Sequence, residues 1–170
     1  MNPSIDLRLR SMMRAITEVI MPAVDPHNSL AQEQIRLLLG HLHALSLQVA
    51  HAPGLAAIEL NELQQLAREL LAHAAGGPAT QCAAARVTAL RGGSDHAALA
   101  HAVEALLIAS GEDGDAEFKH DSETRVLAFS RAQALRGRAW FKAMGFDTSP
   151  GSLPDIPTLL AASDRTKDIP

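Results

Sequence analysis

The stretch Asn28–Val49, NSLAQEQIRLLLGHLHALSLQV, is the most regular part of the chain. Ser29 and Gln32 have the spacing of a capping box, so a helix is predicted to begin near Asn28 or Ser29. Its apolar residues recur at steps of four and three, the spacing of one helix face. They are Ala31, Ile35, Leu38, Leu42, Leu45 and Val49. We therefore expect an amphipathic helix here, and the rest of the fold is built around it.

Five further helices are predicted from the same spacing, with Gly and Pro between them. They cover residues 4–21, 55–74, 80–90, 94–110 and 122–144. Pro22 is interpreted as a helix end, the pair Pro53-Gly54 as a tight turn, and residues 111–121 as an acidic loop. Residues 1–145 are thus predicted to form one all-α, up-and-down bundle of five to six helices.

Residues 146–170 have a different composition, with four prolines that make a long helix unfavourable. We predict an extended, Pro-rich C-terminal arm. Ile156, Leu159 and Leu160 are its expected anchors, either on the body of this chain or on a neighbouring subunit.

Composition excludes several classes of protein. The 170 residues are 47% apolar, 20% charged and 3% aromatic, which is typical of a soluble globular chain. No apolar run is long enough for a membrane span, and the early charges, beginning at Asp6 and Arg8, interrupt any secretory signal, so a cytoplasmic location is predicted. A net charge of −4 and few aromatic side chains argue against a nucleic-acid partner.

Motifs for metal or cofactor chemistry are missing from the sequence, so no metal and no cofactor is predicted. A di-iron bundle needs two Glu-x-x-His motifs, and the chain has one, Glu117–His120. Phosphate-binding and Gly-x-Ser-x-Gly nucleophile motifs are absent as well. The single Cys82 excludes a disulfide framework and is expected to pack as a small core residue.

Polar residues on helix faces expected to be buried are the candidate ligand-binding site. Gln34, His41 and Gln48 recur every seven residues beside the Leu38 and Leu45 line. The same projection selects Glu59 in the third helix and Gln133 in the sixth. Brought together, the five would line a small polar pocket between helices. Their other interpretation is structural, because buried Gln and His side chains commonly bond a backbone group.

Three functions remain open. The first is a non-catalytic interaction or accessory protein that acts as a homodimer, in which the broad apolar face of the Asn28–Val49 helix is the seam. The alternative is a small-molecule binding protein that uses the five polar residues. The second alternative is an enzyme with His41 and Glu59 as an acid–base pair.

Overall fold

The computed structural model describes residues 2–165, and it confirms the predicted all-α bundle class. Seven helices of ten residues or more lie within that range, against the five to six predicted, and α2 is a single short turn. The helices are α1 Ile5–Ala15, α2 Met21–Ala23, α3 Ser29–Gln48, α4 Ala52–His73, α5 Pro78–Leu90, α6 His96–Asp113, α7 Ala116–Trp140 and α8 Ile156–Arg165.

Helices α1 and α3 begin where the sequence places them, but the Ser29–Gln32 capping box does not form, because Asn28 is the cap and Gln32 Nε2 donates to the Val24 carbonyl at 3.1 Å. The Ser4 hydroxyl accepts from the Leu7 amide at 3.2 Å, and the Asn28 side-chain oxygen accepts from the Ala31 amide at 3.0 Å. Each bond satisfies an amide that has no acceptor inside its own helix. A cap of this kind adds about 0.5–2 kcal/mol to the free energy of unfolding. Both helices therefore begin where the sequence places them.

The tight turn predicted at Pro53-Gly54 is wrong, because both residues lie in the first turn of α4. Pro53 and Pro157 both occupy the second position of a helix, in α4 and α8. The first-turn amides have no intrahelical acceptor, so a proline there loses no hydrogen bond. Pro22 lies inside α2, directly after a π-helical turn, Ile16–Ile20, that connects α1 to α2.

The predicted acidic loop at 111–121 is also wrong. Helix α6 continues to Asp113 and α7 begins at Ala116, so that Gly114 and Asp115 alone connect them. Phe118 explains the early start of α7, because its side chain is buried in the core with 1% of its surface exposed. Burying this aromatic ring stabilises the first turns of α7, and the neighbouring Ala116, Glu117 and Lys119 are themselves good helix formers.

The chain divides into two compact units. The central unit comprises Gly54–Leu135, and the terminal unit comprises the chain up to Pro53 and from Arg136 onward. The predicted division at residue 145 does not coincide with this one and stays a prediction. Cys82, expected in the core, is exposed on α5 in the central unit.

The central unit contains a continuous apolar core between α4, α5, α6 and the first turns of α7. Its buried members are Leu63, Leu66, Ala67, Leu70, Ala84, Val87, Leu99, Ala102, Val103, Leu106 and Phe118. Five of them, Ala67, Leu70, Val87, Leu99 and Leu106, have no exposed surface, so the centre of this core is closed to solvent.

The C-terminal arm is not extended throughout, because its residues 156–165 form α8. The Asp155 carboxylate accepts from the Thr158 amide at 2.9 Å and so begins this helix. Ile156 is buried as predicted, whereas Leu159 and Leu160 are half-buried, and Leu153 is a further buried anchor. The arm is therefore folded onto the terminal unit.

Two polar contacts tie the arm to the end of α7. The Arg138 guanidinium donates to both carboxylate oxygens of Asp147, at 2.7 and 3.1 Å. Lys142 Nζ donates to the Leu153 carbonyl at 2.8 Å. The Arg138 contact comes first among the causes that hold the pKa of Asp147 at about 2, with the Ser149 amide second.

Candidate interaction surface

Large apolar side chains are left exposed mainly in the terminal unit. Of fourteen such side chains among the described residues, eleven belong to this unit and three to the central unit. Those of the terminal unit are Ile5, Leu7, Met12, Val19, Ile20, Leu30, Leu38, Leu45, Leu47, Phe141 and Phe146. Single exposed apolar residues are ordinary, but this concentration in one unit points to an interaction surface.

Helix α3 shows the imbalance most clearly. Its apolar residues recur at the spacing of one helix face, yet Ala44 and Gln48 are its only buried residues. Leu38 and Leu45 expose 49% and 48% of their surface. A helix of this pattern normally buries its apolar face, so the packing within this unit leaves part of the α3 face uncovered.

Four exposed residues form one line along α3, which we call the open stripe: Gln34, Leu38, His41 and Leu45. At 100° per residue they project within about 60° of one another. Positions on both sides of the stripe are better covered, with Leu37 and Gln48 on one flank and Ile35 and Leu42 on the other. The stripe is thus an open strip between two packed flanks.

The flanks are covered by other parts of the terminal unit. Helix α1 packs against α3, and so does the short 3₁₀ turn Lys142–Met144. The Met144 side chain lies 3.8 Å from where a Cβ on Gly40 would be. Leu9 of α1 and Ile16 of the π-helical turn that follows it are buried. These contacts leave the four stripe residues exposed.

Gln48 has a structural role at one end of the stripe. It is buried, and its side-chain amide donates to the Trp140 carbonyl at 2.8 Å. That carbonyl belongs to the last residue of α7, where helix carbonyls lack an intrahelical partner. The Gln48 amide thus caps the end of α7.

The other four predicted site residues are placed differently. Gln34 and His41 are exposed, so the expectation of a buried position is wrong for both, because the packing elements of the unit cover only the flanks of α3. Glu59 and Gln133 are half-buried and belong to the central unit. None of these four side chains hydrogen-bonds another residue within the described part of the chain. The predicted pocket and the His41–Glu59 pair stay predictions.

Polar contacts in the central unit hold its helices together. Arg125 of α7 donates to Asp121 at 2.6 Å and to Glu69 of α4 at 3.1 Å. These contacts lower the pKa of Asp121 and raise that of Arg125, in both cases mainly through their mutual hydrogen bond. All three side chains are partly exposed, and each already has a partner.

Asp113, at the end of α6, completes the N-terminus of α5. Its carboxylate accepts from the amides of Ala79 and Thr80 at 2.8 and 3.0 Å and from the Thr80 hydroxyl at 2.6 Å. The Thr80 hydroxyl is the first cause of its lowered pKa. The sequence does give a signal, because Gly77 stands at the cap position of α5 and has no side chain to do this work.

A shallow depression of about 380 Å³ lies on the central unit, lined by Arg68, Thr88, Ala89, Arg91 and Gly92. It contains none of the five predicted site residues. Arg68 already donates to the Gln65 side-chain oxygen, at 2.7 Å from Nη2. Two arginines make the depression basic. No hydrogen bond or ion pair among the described residues directs its side chains towards a common point.

Across residues 2–165, no three His, Cys, Asp or Glu side chains are grouped as a metal site would require. No helix in that range has the length and apolarity of a membrane span.

No protein-family model, curated protein or solved structure matches this chain.

Proposed function

We propose that this chain is a non-catalytic interaction protein that forms a homodimer through the open stripe of α3. The observation that carries the proposal is the exposure of Leu38 and Leu45 in the middle of α3, a 20-residue helix whose apolar residues recur on one face. The alternatives have weaker support, because Gln34 and His41 do not enclose a cavity and the Gln48 amide is occupied by the Trp140 carbonyl.

The exposed apolar area of the terminal unit comes close to that of a standard-size interface. Nine large apolar side chains of the first 48 residues expose 44–67% of their surface. Leu7 and Leu47 project away from the packed side of their helices, and the remaining seven expose on the order of 700 Å². A standard-size interface buries about 800 Å² on each partner. The interface must therefore extend from the stripe onto α1, where Ile5 and Met12 lie next to the buried Leu9.

Charge is compatible with pairing between identical surfaces. The two charged side chains of α3, Glu33 and Arg36, project away from the stripe, which carries none. Two identical stripes can approach without like-charge repulsion, which would otherwise oppose a symmetric contact. A strongly charged partner would find no complementary charge on the stripe itself.

The test compares two matched substitutions by sedimentation velocity over a wide range of protein concentration. Leu45 and Leu47 are the same residue type on the same helix, exposed by 48% and 45%, but only Leu45 lies on the stripe. We expect wild type and Leu47→Glu to reach the mass of two 18.0 kDa chains, and Leu45→Glu to stay at the mass of one. Both leucines are half-exposed, so neither variant places a charge in the core of the monomer.

Two results would overturn the proposal. One is a wild-type protein that keeps the mass of a single chain at every concentration. The other is a Leu45→Glu variant that associates as strongly as Leu47→Glu, which would place any dimer contact elsewhere. Circular dichroism of each variant confirms that the helices are retained.

A further inference from the structure

We infer that in this dimer the two α3 helices lie parallel and in register, with Gln34 and His41 each facing the same residue of the second copy. The inference rests on the proposed function and names the geometry of its contact. It assigns Gln34 and His41 a role in specificity that does not require a small-molecule ligand.

The open stripe has the spacing of a coiled-coil seam. Leu38 and Leu45 are seven residues apart and take one seam position, usually labelled a. Gln34 and His41 are also seven apart and take the other, labelled d. The half-buried Ala31 precedes the first series, and the buried Gln48 ends the second, where its amide is bound to the Trp140 carbonyl. Apolar and polar layers therefore alternate along the seam.

Orientation decides what each layer meets. In a parallel, in-register pair every a residue meets a and every d residue meets d, so leucine packs on leucine and the polar residues face each other. In an antiparallel pair each a residue meets a d residue. In the register that overlaps the whole stripe, Leu38 would lie against His41 and Leu45 against Gln34, and a shift by seven residues again places each leucine against a polar residue. The polar groups would lose water and gain no partner, which is the costly outcome.

Both polar residues are able to bond their own copies. A Gln side chain has an amide donor and a carbonyl acceptor, and a neutral imidazole has one donor and one acceptor nitrogen. Two facing Gln34 side chains, and two facing His41 side chains, can therefore satisfy each other. This self-matching chemistry is what makes a second copy of the chain the occupant of the stripe. A buried polar layer of this kind is known to set register and orientation in coiled coils.

The packed flanks leave room for one helix. The stripe and the spaces beside it span roughly 100°, the width that an apolar helix face presents to a neighbour. In a parallel pair, the partly buried flanks of each α3 helix lie on the two sides of the contact between the stripes. The two α3 helices and their neighbours then form a small bundle around the symmetry axis.

Cysteine crosslinking separates the two orientations. The exposed native thiol is removed by Cys82→Ser, and Gln34→Cys and Leu45→Cys are then introduced in separate chains, one of them carrying a mass tag. The two positions are eleven residues apart, about 17 Å along the helix. After equal mixing and mild oxidation, a parallel pair gives only same-site crosslinks, Gln34→Cys with itself and Leu45→Cys with itself. An antiparallel pair gives the mixed product instead.

Sedimentation of the same samples, kept reduced, distinguishes failure of the inference from failure of the proposed function. Mixed crosslinks overturn the parallel geometry and leave the homodimer standing. A dimer without any crosslink overturns the stripe as the contact. A monomer overturns both. His41→Leu adds a direct check of the polar layer, since we expect mixed crosslinks to appear once that layer becomes apolar, and their continued absence would contradict the assigned role of His41.

Discussion

Gly76→Ala is expected to destabilise the central unit, because Gly76 crosses closely over the connection between α6 and α7. A Cβ on Gly76 would lie 2.6 Å from Gly114 Cα and 2.7 Å from the Asp113 carbonyl oxygen. Carbon atoms normally approach to about 3.5–4.0 Å, so the two chain segments would have to move apart by roughly 1 Å. That movement would break the pairing between Gly76 and Gly114.

The size of the effect follows from two separate costs. Overpacking a closely packed site costs about 1–3 kcal/mol. The backbone of Gly76 has a φ of +153°, a conformation that costs a residue with a side chain about 1–3 kcal/mol. In a chain of this length each kcal/mol lowers the melting temperature by about 2–4 °C, so we expect a decrease of roughly 5–20 °C.

Gly111→Ala is the matched control for this experiment. Gly111 lies in α6, three residues before Gly114, and a Cβ there would meet nothing within 4 Å. Alanine restores about 0.5–1 kcal/mol of helix propensity, so this variant is expected to melt slightly above wild type. Thermal unfolding followed by circular dichroism measures both. A Gly76→Ala protein that melts within about 2 °C of wild type would refute the reasoning.

Three further predictions concern packing, helix capping and pH. Phe118→Ala should cost about 3–5 kcal/mol in chemical unfolding, whereas Phe146→Ala, at a residue 72% exposed, should change the free energy of unfolding by less than about 0.5 kcal/mol. Gln48→Ala should cost about 1 kcal/mol and shift the fluorescence of the single tryptophan, whose carbonyl loses its donor; an unchanged spectrum and stability would contradict this. The pKa of Asp147 is about 2 in the folded protein, below its ordinary value of 3.8. Its contact with Arg138 therefore stabilises the fold fully above about pH 4, and this stabilisation is lost as the pH falls from about 4 towards about 2. A carboxyl NMR titration should show the pKa of Asp147 rising in Arg138→Gln, and no change would remove Arg138 as the cause.

Local features were predictable where the deciding interactions lie within one helical turn. The caps by Ser4 and Asn28 each join residues three apart, and the apolar steps of α3 reflect the 3.6-residue period alone. The same local reasoning failed at Pro53, because a proline in a turn and a proline that begins a helix look alike in sequence. It failed again at Phe118, where burial in the core decided that the acidic segment would be helical.

The candidate site was only partly predictable. The recurrence of Gln34, His41 and Gln48 places the three residues on one side of α3. Whether each of them is buried could not be deduced from that recurrence. Gln48 is buried because the Trp140 carbonyl, 92 positions away in sequence, reaches it. Gln34 and His41 remain exposed because the neighbours of α3 cover its flanks and leave the space between them open.

The sequence by itself determined that this chain is all-α. It also determined that the apolar face of α3 is broader than one neighbouring helix can cover. Both properties depend only on composition and helical period. Only the tertiary structure decided which part of that face stays open. It also decided that Asp113 caps a helix beginning 35 positions earlier, at Pro78. The physical reason is the same in both cases: helical period acts within a turn, whereas exposure and long-range hydrogen bonds depend on which segments the folded chain brings side by side.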